Sequence, residues 1–245
     1  MKRLAYLLST LCLLFAAPVQ ASKVDVLSYY DSPPFHYSNE FGLVKEVMSL
    51  LDKHIEEMDF KYKVVSRPLL NKLISNIQRP FIIPLVNPVW FGDSNRQKYQ
   101  WSIPLYADSN ALLSHPSDPV EFKGYQSFLN QTVAVPSGYR IHFLDDLVNK
   151  NKALRLDVPT IKTLVEKVAQ KNARMAVVPY VLAYHQVQTN GWQDRVHFSK
   201  RPHQSYKRFF MFKNASKQQL EFFNTAIREI QENGQLERVL KKYGY

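Results

Sequence analysis

Flat aromatic rings beside a few hydrogen-bond donors can hold a small molecule, and this chain carries such groups just past its apolar, β-like runs. Tyr29, Tyr30, Phe35 and Tyr37 follow the first run, and Asn87, Trp90 and Arg96 follow another. In the second half Ser137, Gly138, Tyr139 and Arg140 follow a third run, and Tyr180 and Tyr184 a fourth. Arg96 and Arg140 are the charged donors among them. The turn at Gly138 opens a helix, where free backbone N–H groups favour an anion. These residue types describe recognition of a small solute rather than covalent chemistry.

The usual signatures of catalysis are missing. There is no H-E-x-x-H pair, no G-x-S-x-G elbow and no phosphate-cradling glycine loop. The seven histidines do not fall four apart on any helix, and the lone Cys12 cannot build a paired-cysteine metal site. Glu56 and Glu57 are neighbours and point apart. The chain is therefore expected to be no enzyme, with no catalytic residue, no metal and no cofactor.

The elements that position these residues alternate. Val24 to Tyr30 is β-rich and is stopped by Asp31-Ser32-Pro33-Pro34. Leu43, Val44, Val47, Met48, Leu51, Ile55 and Met58 step by three and four, which predicts a helix over Gly42 to Met58. A strand over Phe60 to Val65, a helix over Pro68 to Ile77 and a buried strand over Pro80 to Val86 follow. After about residue 115 the alternation restarts. Thr132 to Val135 reads as a strand, and Ile141, Phe143, Leu144 and Leu147 mark a helix. Thr160 reads as the cap of the next helix, before a buried strand over Met175 to Val178. Phe209 to Phe212 is a strand, and the chain closes on helical patterning around Leu220 to Ile230 and Leu236 to Leu240. Such alternation predicts an α/β chain in two similar halves.

Lys2 and Arg3, the apolar stretch Leu4 to Ala17 and Val19-Gln20-Ala21 form the three-part pattern of a cleavable secretory signal over residues 1–21. Leu11 precedes Cys12, so lipid attachment is not expected. Loss of Lys2 and Arg3 lowers the formal charge from +11 to +9. Basic residues are scattered, and the densest group, Lys200, Arg201, Lys207 and Arg208, reads as a solvated loop, with charge for an anionic ligand or a membrane partner as the alternative; no nucleic-acid partner is expected.

These features together resemble the extracellular solute-binding proteins of family 3, which serve amino-acid ABC importers. Ser32-Pro33-Pro34-Phe35-His36-Tyr37 is similar to that family's Y-x-P-F turn, and Gly42 opens a segment like its G-f-x-v-d-l. Arg96 with Trp101-Ser102-Ile103-Pro104-Leu105-Tyr106 resembles its R…F-S-x-P-Y block. Val133 to Gly138, Ala173 to Val178 and Asn224 to Gly234 match later blocks in order and spacing. The resemblance implies a type II periplasmic binding protein fold, with two Rossmann-like lobes, a central cleft and two crossover hinges. The crossovers are expected near 107–113 and 188–196. Lobe 1 is then 22–110 with 195–245, and lobe 2 is 111–194.

The resemblance also implies a function: capture of a small polar or anionic solute, amino-acid-like or an organic acid, by hinge closure, with delivery to a membrane permease of the ABC type. Alternatives are a periplasmic sensor that reports occupancy to a membrane receptor, and an enzyme on the same fold. A monomer in the periplasm is implied. Tyr30, Phe35, Tyr37, Asn87, Trp90, Arg96, Ser137, Gly138, Tyr139, Arg140 and Tyr180 become the expected ligand contacts, with Arg96 as main anion anchor. The chain departs from the family at three points, the first being a spacing from Arg96 to the F-S-like pair that is one residue short. Asp93 stands where the family has Thr, three residues before the Arg. Pro179 or Tyr180 stands where the family places the acid that grips an amino group.

Overall fold

The computed structural model describes residues 21–245. Residues 1–20 of the expected leader, with Cys12, lie outside the described residues.

In the first half, β1 (Ser22–Ser28) leads through the Pro33-Pro34 turn into α1 (Leu43–Asp52). Gly42 makes that entry possible. Its φ is 138°, and a Cβ there would lie 2.5 Å from the Phe35 carbonyl oxygen. Leu43 and Val44 donate their backbone N–H groups to the carbonyls of Pro34 and Phe35. These bonds satisfy two of the open donors at the helix start and fix the Phe35 turn. α1 ends at Asp52, earlier than the apolar spacing predicts. Ile55 and Met58 are still buried in the same core, but from a turn and from β2 (Met58–Val64).

α2 (Arg67–Asn76) follows, capped by Ser66, and β3 (Phe81–Val86) is buried at every position. A 3-10 turn, Pro88–Phe91, and a short strand, β4 (Gln100–Trp101), lead into β5 (Tyr106–Ser114). The second half then runs β6 (Thr132–Pro136), α3 (His142–Asn149), β7 (Leu154–Val158), α4 (Ile161–Ala169), β8 (Met175–Pro179) and α5 (Tyr180–Asn190). A two-residue strand, β9 (His197–Phe198), precedes β10 (Gln204–Lys213). α6 (Lys217–Glu232) starts with a capping box at Ser216 and Gln219, and α7 (Gln235–Lys242) ends the chain.

The strands join in the order β2-β1-β3-β10-β5-β8-β6-β7, with β4 on β10 and β9 on β5. β1, β2 and β3 are parallel, as are β6, β7 and β8. β5 and β10 run antiparallel to their neighbours and link the halves. Each has two parts. Phe209–Lys213 of β10 pairs with β3 in the first half, and Gln204–Arg208 pairs with Tyr106–Asn110 of β5. The rest of β5, Asn110–Ser114, pairs with β8 in the second half.

The chain therefore crosses between the halves at 106–110 and again at 204–208. The second crossing is not at 188–196, where it was expected. Residues 188–190 are the last turn of α5, and Val196 is buried in the second-half core. β9 pairs with Leu113 and Ser114, and the Ser199 and His203 N–H groups bond the Leu112 and Asn110 carbonyls. These bonds hold the chain against β5 until residue 203.

Each sheet is covered on both faces. α1, α6 and α7 cover one face of the first sheet, where Phe223 meets Phe210 and Phe212 edge-on. α2 covers the other with Leu70 and Ile74. In the second sheet the alternation of strand side chains sorts residues by size. Ala111, Ala134 and Ala176 lie under α4 and α5, and Leu112, Val133, Val135 and Val177 meet α3.

Candidate functional site

Arg208 occupies the point where β10 leaves one sheet for the other, and it is 2% exposed. It is not part of a solvated basic loop, as its neighbours in sequence suggest. Alternation along β10 places Tyr206 and Arg208 in line with Phe210 and Phe212. The guanidinium pairs with the buried Asp108 of β5, Nε to Oδ2 at 2.7 Å. It also donates to the Tyr30 hydroxyl and to the Leu85 carbonyl, both at 2.6 Å. Burying two charges costs several kcal/mol per ion unless pairing and hydrogen bonds offset it. Here the pair ties together the two crossing strands and the end of β3.

Leu85 shows how far the backbone bends to serve this pair. It is fully buried with φ of +56°, in the left-handed region that a branched side chain avoids. The turn directs its carbonyl to Arg208 and to the Tyr30 hydroxyl, which donates at 2.8 Å. Strain of this kind costs about 1–3 kcal/mol and concentrates at functional sites.

Four rings close around the guanidinium. Its carbon lies 4.9 Å from the Phe35 ring centre, 5.2 Å from Trp90, 5.5 Å from Tyr206 and 5.7 Å from Tyr30. Tyr30 stacks on Phe35 at 4.3 Å and on Tyr29 at 4.6 Å, and Trp90 meets Tyr206 edge-on at 5.3 Å. Cation–π attraction is stronger away from water, so a buried guanidinium sets these rings into one wall. Burial raises the Tyr29, Tyr30 and Tyr206 phenols above their usual range, so they act as neutral hydrogen-bonding groups.

Beside this wall, Arg67 opens α2. It lies over the rings of Phe91 at 4.4 Å and Tyr29 at 4.9 Å. Its Nε donates to Asn71 and one terminal nitrogen donates to the Trp90 carbonyl at 2.8 Å. The remaining donors of its five have no protein acceptor among the described residues.

The second half contributes Tyr139. Its side chain is 41% exposed, and its phenol is raised above the usual range by desolvation, with Arg208 opposing the rise and Asp108 adding to it. Gly138, with φ of 81°, makes the turn that presents it. Arg155 of β7 locks the turn from behind, donating to the Tyr139 carbonyl at 2.6 Å and to Asp145 at 2.8 Å while pairing with Asp157.

The expected contacts divide accordingly. Tyr30, Phe35 and Trp90 come together around Arg208, and Tyr139 is exposed on the turn after β6. Asn87 caps the 3-10 turn that carries Trp90, and its amide donates to the Lys207 carbonyl, so it braces the wall. Ser137 and Arg140 are exposed on either side of the Gly138–Tyr139 turn. Three residues have other partners. Arg96 is exposed and stacks on Phe209 at 4.4 Å. Phe209 adjoins Arg208 on the strand and belongs to the α2-side core, against which Tyr29 and Trp90 also pack. Tyr37 hydrogen-bonds to His185 in a groove between α1, α5 and α7. Tyr180 packs on Tyr184 and Phe198 within the second half. Asp93 is engaged by the N–H groups of Gln97, Lys98 and Tyr99 and by the Trp101 indole. Burial opposes its charge, but those four bonds hold its carboxyl below the usual range.

Arg208, Asp108, Tyr206, Arg67 and Arg155 were not expected. The alternation of Tyr206, Arg208, Phe210 and Phe212 was the one available signal.

No family model matches this chain, and no curated protein matches it. Solved structures do. A probable amino-acid ABC transporter extracellular-binding protein, ytmK from Bacillus subtilis, superposes with a TM-score of 0.73 at 13% identity, over 92% of this chain and 98% of that one. The GluR0 ligand-binding core from Nostoc punctiforme, in complex with L-glutamate, gives 0.66 at 17% identity, over 90% and 99%. A histidine kinase sensor domain with similarity to periplasmic binding proteins gives 0.66 at 15%, over 92% and 97%. At such identities the likeness establishes the fold, which is the type II periplasmic binding protein fold that the resemblance implied.

Proposed function

We propose that this chain is a solute-binding protein that closes its two halves on a small polar or anionic molecule. One observation carries the reading. A buried ion pair at the crossing strands builds an aromatic wall from the first half, and closure would bring the exposed Tyr139 of the second half onto it. Ligands of open α/β sheets sit outside the carboxyl ends of the strands, and the wall lies at the ends of β1 and β3.

In this reading 22–105 and 209–245 move as one lobe and 111–203 as the other. Rotation occurs about the two strands at 106–110 and 204–208, and it must slide α5, whose Val181 is buried in the first-half core, against α1 and the C-terminus. Closure brings Tyr139 onto the ligand and removes water from between the rings. Dry surroundings strengthen each polar contact to the solute. The output is delivery of the captured solute to an ABC-type importer in the membrane, from the outer side of the cytoplasmic membrane, by a monomer. Similarity to an extracellular-binding protein of that transporter class supports this.

A thermal-shift screen of residues 22–245 against amino acids, dicarboxylates, polyamines and aromatic acids tests the reading. A ligand bound only by the folded state at 100 times its Kd stabilises by about 2.7 kcal/mol. A rise in melting temperature confined to one chemical class supports capture. No rise in any class contradicts it.

A further inference from the structure

We infer that the solute is an organic carboxylate with a flat body and no ammonium group, an inference that rests on the binding function proposed above. The inventory of charges beside the wall points to it. An ammonium closed away from water needs a carboxylate, because an unpaired buried charge is costly. The carboxylates near the wall are already engaged. Asp108 accepts from Arg208 and from the Ser109 N–H. Asp93 accepts four hydrogen bonds within its own loop. Asp145 and Asp157, behind the Tyr139 turn, both face Arg155. Asp31, in the turn after β1, is exposed to water, where pairing with an ammonium is weak.

Positive charge is available instead. Among the described residues no carboxylate lies within ion-pair distance of Arg67 or Arg140. Arg67 is the stronger anchor. It is half-buried and held flat on Tyr29 and Phe91, and its free N–H groups adjoin Trp90. A preset guanidinium fork matches a carboxylate in two places. Trp90 and Tyr206, both half-buried, supply the faces for a planar body, while Tyr30 and Phe35 are stacked on one another, and the neutral phenol of Tyr139 closes on it from the second half.

Matched pairs that differ only by the amino group test this by calorimetry: phenylalanine against 3-phenylpropanoate, tyrosine against 3-(4-hydroxyphenyl)propanoate, and glutamate against glutarate. The inference expects an aromatic acid without the amine to bind at least about tenfold tighter than its amino acid. Arg67→Gln, with an unchanged ligand-free melting temperature, should weaken that acid by about tenfold or more. Asp31→Asn should leave the preference in place. Equal or tighter binding of the amino acids overturns the inference and leaves the binding function standing. Glutarate binding tighter than both aromatic acids overturns the flat body. Binding of no member of any pair overturns the inference, and the binding function then stands or falls with the thermal-shift screen.

Discussion

At the scale of the residue, the Arg208–Asp108 pair decides the site. Both side chains are almost fully buried, so removal of either leaves the other as an unpaired charge. Asp108→Asn and Arg208→Met should each cost about 3–5 kcal/mol in urea unfolding. The joint variant Asp108→Leu with Arg208→Met should recover most of that loss but bind no ligand, because the wall loses its central cation. Full binding by the joint variant would deny Arg208 its role. His203 gives a separate pH dependence. It lies among Phe122, Phe128 and Phe143, and neither ring nitrogen has a partner. Burial pushes it down to about 4. The folded state then binds fewer protons than the unfolded state between about pH 6.5 and 4, so stability falls as pH drops through that window. Partial exposure limits the effect to roughly 1–2 kcal/mol. His203→Phe should reduce the drop in melting temperature between pH 7.5 and 4.5, and an unchanged drop would exclude this histidine as its source. The grouping of Tyr30, Phe35 and Trp90 was legible in the sequence because all three follow strand ends, and their contact with a ligand is a proposal. Arg208 was not legible, because burial of a charge depends on a partner one hundred positions away.

At the scale of the element, local signals served well where an element is capped by its own neighbours. Thr160, read as a cap, accepts a backbone N–H at the start of its helix, as Ser66 and Ser216, which were not read so, do at theirs. The end of α1 was not legible, because Ile55 and Met58 keep the helical spacing of apolar residues while the backbone has already turned. The Tyr139 turn depends on β7 through Arg155. Arg155→Leu should weaken ligand binding by about tenfold while the fold persists, since it removes the pre-organisation of that turn. Unchanged affinity by calorimetry would show that the turn holds its shape alone. The contact of α5 with the C-terminus is tighter. Gly244 has φ of 89°, and a Cβ there would lie 2.2 Å from the Tyr184 ring. Gly244→Ala should lower stability by about 1–2 kcal/mol through the left-handed backbone alone. A melting temperature equal to the parent's would mean that the C-terminus detaches from α5 without cost.

At the scale of the whole molecule, α/β alternation and its restart near residue 115 made the two-part fold legible. The second crossing was misplaced because β9 and its flanking loop stay on β5 through bonds that join distant residues. Their pairing leaves no periodicity to read. Two antiparallel strands then carry both crossings, and the ion pair sits between them. Such a connection permits rotation of the halves, and that rotation is the core of the account. Pulsed electron resonance between spin labels at Lys72→Cys on α2 and Lys150→Cys after α3 measures it directly. Cys12 is the only cysteine of the sequence, so residues 22–245 carry no competing thiol. Saturation with the tightest ligand from the matched pairs should collapse a broad distance distribution to a single shorter one. A distribution unchanged at saturation, with occupancy verified by calorimetry, would contradict closure.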